Sequence, residues 1–165
     1  MHKRNWYFII VIIITISIYF INNEKKSTIA TDNRFEVTDT SLVTKIFLAD
    51  RNGNMITLTK NDDKWLVNNT FDVRRDAIST LLLTIKKIKI KKPVSNKAFD
   101  NVIKYMATTG VSVEIFSDNK MIKSYTIGSN TPDHLGTYML LKNSQKPYVI
   151  HIPAFNGFLS PRYGI

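Results

Sequence analysis

Residues 72–93 read DVRRDAISTLLLTIKKIKIKKP, and the change of period inside this stretch decides the fold. Val73, Ala77, Leu81 and Ile85 recur every four residues, with Ile78 and Leu82 beside them. That spacing predicts an amphipathic helix with one broad apolar face. Asp72 is the expected N-cap, Asp76 falls in the first turn and Lys86-Lys87 in the last, all matched to the helix dipole. Around Ile88 the period drops to two. Ile88 and Ile90 alternate with Lys87, Lys89 and Lys91 until Pro93 stops the run. The alternation reads as an edge strand, isoleucine inward and lysine outward to discourage further pairing.

Working outward, the residues before this stretch form a meander. Thr44 to Ala49 and Met55 to Thr59 flank Asn52-Gly53, a strong hairpin signal because both residues tolerate positive φ. Asn61-Asp62-Asp63 then turns the chain into a short strand, Lys64 to Val67. After Pro93, Ser95 is positioned to cap a second helix whose stripe is Phe99, Val102, Ile103 and Met106, and Gly110 suits its C′ position. Two hairpins follow, Val111 to Phe116 with Met121 to Ile127, and Thr137 to Leu141 with Tyr148 to Ile152. The expected domain, residues 44–165, is therefore α+β in the order βββαβαββββ. Its economical architecture is a mixed, mainly antiparallel sheet with both helices on one face. The first meander and the closing strands read as two versions of one unit.

The N-terminus sets a different expectation. A basic head with Lys3 and Arg4 precedes 16 residues, Trp6 to Ile21, broken only by Thr15 and Ser17. As a helix this run measures about 24 Å, a little under the hydrocarbon core of a bilayer. Trp6 and Tyr7 at one end and Tyr19 and Phe20 at the other suit the two interfaces with lipid. The charge bias puts the N-terminus in the cytoplasm and the rest outside, a single pass through the inner membrane with a periplasmic domain. Residues 1–26 thus read as a signal anchor and 27–43 as a polar tether. A cleaved signal peptide, cut after Thr28-Ile29-Ala30, and a buried helix are the competing readings.

Cysteine is absent, which removes disulfides, thiolate metal sites and cysteine nucleophiles. Residues 27–165 carry 19 Lys+Arg against 12 Asp+Glu. The excess is lysine, 17 to 6 arginines in the whole chain, alongside 22 isoleucines and 15 asparagines. An AT-rich coding bias produces that triple enrichment without selection for charge. Arginine, which recognises phosphates and bases bidentately, is not enriched, so nucleic acid is not an expected partner.

No cofactor motif, phosphate-binding glycine loop or metalloprotease signature is present. One polar stretch between strands, Ser129 to Gly136, holds Ser129, Asn130, Asp133 and His134. With Tyr138 and His151 on the adjoining strands it forms the candidate binding loop. An Asp-His adjacency with a second histidine also admits general acid-base or metal chemistry. The aromatic tail supplies a candidate interaction surface, Phe155, Phe158, Arg162 and Tyr163, expected to stay partly uncovered.

Several of these residues carry a resemblance to a bacterial family, domain of unknown function 4340. The marks are Trp65 with Asn68, Asp76-Ala77-Ile78, Leu81-Leu82, Pro93-Val94 and Asn101-Val102. They continue with Gly128, Gly136-Thr137-Tyr138-Met139, Lys146-Pro147-Tyr148-Val149, His151-Ile152-Pro153, Phe155, Gly157 and Arg162-Tyr163. The resemblance spans about residues 42–163. It implies a membrane-anchored or exported protein, in some members associated with ABC-type export components, and brings no catalytic residues. Similar proteins look about twice as long, which suggests a fragment, a truncated product or a short member. The resulting expectation is an extracytoplasmic binding or assembly module of an envelope complex. A ligand-sensing or hydrolytic domain built on the 129–136 loop and His151 is the alternative.

Overall fold

The structure, a computed structural model, describes residues 34–164. The anchor residues Trp6, Tyr7, Tyr19 and Phe20, and the run between them, lie outside the described residues. Within these, no helix is long and apolar enough to cross a membrane. The elements are β1 Lys45–Ala49, β2 Met55–Asn61, β3 Lys64–Val67, β4 Phe71–Asp72, α1 Arg75–Lys87, β5 Lys89–Pro93 and α2 Asn96–Thr109. They continue with β6 Val111–Ser117, β7 Lys120–Asn130, β8 Thr137–Leu141 and β9 Tyr148–His151. Short 3-10 turns occupy Thr40–Leu42 and Ser160–Tyr163.

The strands form one sheet in the order β4-β3-β2-β1-β6-β7-β8-β9-β5. Among the described residues every pairing is antiparallel, so the parallel pair that a mixed sheet requires does not occur. The two meanders meet at the centre, where Ile46 pairs with Ile115 and Leu48 with Val113. The Lys-Ile strand, β5, is an edge, as its alternation predicts. The other edge is β4, two residues that no periodicity announces. Asp72 pairs there with Leu66 and ion-pairs with Lys64, so it does not cap α1. The helix begins after Arg74, whose side chain makes no capping bond.

Helix α1 joins one edge strand to the other. Its 13 residues rise about 20 Å, whereas nine flat strands would spread over about 38 Å. The sheet therefore curls around α1. Register shifts in β5–β9, β6–β7 and β7–β8 mark the bulges that bend it. The core lies in the enclosed concavity, where Ile78, Leu81 and Ile85 pack on Ile46, Val113, Ile115, Tyr125, Met139 and Ile150.

Helix α2 lies on the opposite face, which corrects the expectation of both helices on one side. Tyr125 and Ile127 of β7 belong to the α1 core. A Cβ on Gly128, one residue out of phase with them, would stand 2.9 Å from the Met106 side chain of α2. Gly110, which ends α2, has φ −69°, so it is not the left-handed C′ residue that the sequence suggests. Its Cβ would meet the Met106 carbonyl at 2.4 Å, so close approach is what excludes a side chain there.

Residues 34–43 are part of the domain, not a tether. Phe35 is fully buried, its ring 5.9 Å from Tyr125 and 6.1 Å from Tyr148. The Val37 amide donates to the Ile85 carbonyl at 3.2 Å. Glu36, also buried, meets the Lys89 ammonium of β5. Burial of a carboxylate is costly unless it is paired, and Lys89 neutralises it.

The tail also closes on the core. Leu159 and Tyr163 are buried, and the Tyr163 and Tyr125 hydroxyls lie 3.2 Å apart. The Leu159 amide donates to Thr137 Oγ1 at 2.7 Å, and Arg162 donates to Thr84 Oγ1 at 3.1 Å. Every residue of the core cluster lies between Phe35 and Tyr163. Residues 31–165 form one compact unit that supplies its own core.

Candidate functional site

On the α2 face, a cleft of about 290 Å³ opens between the end of β5, the start of α2 and the loop that follows β7. Its walls include Lys91, Lys92, Ser95, Asp133, Tyr138 and Val149. Tyr138 and Val149 are cross-strand partners, so they point to one face together, opposite the buried Met139 and Ile150.

Strand β7 runs three residues further than its periodicity suggests, so Ser129 and Asn130 end a strand and the loop is residues 131–136. Pro132 favours the turn that follows, in which the His134 amide donates to the Thr131 carbonyl at 2.9 Å. The Thr131 amide donates to Gly136 at 2.9 Å and closes the loop. A Cβ on Gly136 would stand 2.6 Å from the Val149 side chain, so only glycine lets the loop sit this close to β9. The Asp133 carboxylate accepts from the Thr131 hydroxyl at 2.5 Å and the Leu135 amide at 3.0 Å. Those bonds hold it below the usual carboxylate range, with Lys91 and Lys92 adding attraction.

Lys91 is the extra residue of the β5 bulge, since Ile90 and Lys92 pair with consecutive residues of β9. The bulge turns its ammonium toward the loop, where it donates to the Leu135 carbonyl at 3.4 Å. Periodicity did not identify Lys91, Lys92 or Ser95 as cleft residues. The doublet Lys91-Lys92, which breaks the alternation, was the signal that could have found them.

Asp133 and Tyr138 line the cleft, but His134 and His151 do not. His134 has φ 55°; its ring faces Phe158 with centroids 5.8 Å apart, and its Nδ1 lies 2.6 Å from Asn130 Nδ2. His151 lies on β9 opposite Lys89. No group of three His, Cys, Asp or Glu side chains suited to a metal occurs among the described residues. The cleft wall carries Lys91, Lys92, Ser95 and Tyr138 beside Asp133, whose carboxylate is bonded into the loop. Asp133 and the two histidines therefore do not meet in this cleft.

Of the tail residues, Tyr163 is inside the core and unavailable to a partner. Phe155 is half-buried, with the Arg162 guanidinium 4.5 Å from its ring centre.

His151 gives a testable pH dependence. Burial first, then the Lys91 charge, push its imidazole below the usual range. The unfolded chain therefore binds this proton at higher pH than the folded one. Stability should fall as pH drops through about 6.5, the unfolded value, and level off below the folded one. Thermal melts of His151→Gln should lose that part of the acid destabilisation. An unchanged profile would remove His151 from the account.

Comparison of the chain with protein families, with characterised proteins and with solved structures yields no match.

Proposed function

We propose that the protein is a membrane-anchored binding module of a bacterial envelope complex, its α+β domain held outside the cytoplasm by residues 1–26. The observation that carries the binding role is the pre-built loop facing the α2-face cleft. Its backbone bonds, the Asp133 carboxylate and the close packing at Gly136 hold it before any ligand arrives. A rigid site loses little entropy on binding. Lys91 and Lys92 stand beside Pro93, Val94 and Val149, so the lining is apolar with two cations against the one carboxylate of Asp133. It suits an acidic segment of a partner protein that also carries an apolar side chain. The family resemblance points to an ABC-type export component as that partner.

Site-specific photo-cross-linking in intact cells tests this reading. A benzophenone amino acid replacing Tyr138 or Lys92 should trap the same discrete protein. The same group at Met121, at the far end of β7, should trap none. Equal trapping from all three positions, or none from the cleft, would contradict the binding role.

A further inference from the structure

A second concavity lies on the α1 side, between α1 and strands β1–β3. It measures about 300 Å³, and its floor is aliphatic, with Leu48, Ile56, Leu58, Val67, Ile78 and Leu81. No aromatic or carboxylate side chain lines it; Arg74 and Arg162 supply its charge. The two arginines differ. Arg74 is exposed and ion-paired with Asp76. Arg162 is half-buried and held by neutral partners, the Thr84 hydroxyl at 3.1 Å and the Phe155 ring. Among the described residues it has no carboxylate within ion-pair distance.

A half-buried guanidinium without a counter-ion is electrostatically costly, and an anion placed on it recovers that cost. An aliphatic groove of this size beside it fits the general form of a ligand pocket, apolar with few fixed polar groups. Alkyl floor and single cation together specify a molecule with an alkyl chain and one anionic end. We propose that this groove binds a fatty acid, its chain along β1–β3 and α1 and its carboxylate on Arg162. The site is separate from the α2-face cleft, and neither depends on the other.

Calorimetric titration of residues 31–165 with dodecanoate, below its micellar concentration, tests the assignment. Expected is one site per chain, with dodecyltrimethylammonium binding at least about tenfold more weakly because its cationic head is repelled by Arg162 and accepts no hydrogen bond from it. Arg162→Gln should weaken dodecanoate by about the same factor. Ala77→Phe, at an exposed position on the groove wall, should block it without loading the core. If Arg162→Gln fails to fold, Ala77→Phe decides alone. Equal binding of the two amphiphiles, or normal dodecanoate binding to folded Ala77→Phe, would overturn the proposal. Binding that appears only when Ile165 is removed would overturn it too, by giving the groove to the chain's own last residue.

Discussion

Phe35→Ala should lower the stability of residues 31–165 by about 3–5 kcal/mol, the range for emptying a buried aromatic site. Phe35 lies in a stretch whose composition reads as tether, so a true tether would register a change within about 0.5 kcal/mol. The structure puts its ring between Tyr125 and Tyr148, with the Val37 backbone bonded to α1 and Glu36 to β5. The loss is therefore a cavity in the main core together with a loosened strap. Urea unfolding of the variant beside the parent measures it. A loss below about 1 kcal/mol would return residues 34–43 to the linker.

Tyr163→Ala should cost a similar amount, about 3–5 kcal/mol, and should also raise hydrophobic-dye binding. The parent domain should be monomeric, because Leu159 and Tyr163 close the core from the tail side. Both tyrosine hydroxyls resist ionisation through burial, so they remain a neutral hydrogen-bonded pair. Tyr163→Phe would leave the Tyr125 hydroxyl without that partner, a smaller cost of about 1–3 kcal/mol. A parent domain that self-associates would show instead that the tail needs another surface.

Elements with a sustained period were legible from residues alone. Ile78, Leu81 and Ile85 face the core as their spacing predicts, and the Lys-Ile alternation falls on an edge. What stayed hidden depends on partners far along the chain. Glu36 between Phe35 and Val37 looks like solvent-facing sequence, and Lys89, more than fifty residues on, neutralises it. The stripe of α2 says that it packs on the sheet but not on which face, since β7 offers apolar or small residues to both. Phe155, Phe158 and Arg162 stay partly exposed as expected, and Tyr163 departs from the expectation for a local reason. Glycine and proline penalties exclude three turns of α-helix, but a single 3-10 turn with Pro161 near its start meets no such penalty. Strand β4, at two residues, is too short for any period to show. In the candidate site, Asp133 and Tyr138 were legible as a loop and its neighbour. Lys91 was not, because a bulge rather than the alternation aims it.

We propose that the exposed cleft on the α2 face is presented outside the cytoplasm. Because the chain has no cysteine, one introduced thiol reports on that claim without background. Lys92→Cys, in the full anchored protein, should react with a membrane-impermeant maleimide in intact spheroplasts as completely as after lysis. Ile85→Cys, in the core, should react in neither case until the domain is unfolded. Labelling of Lys92→Cys only after lysis would place the domain in the cytoplasm and contradict the account.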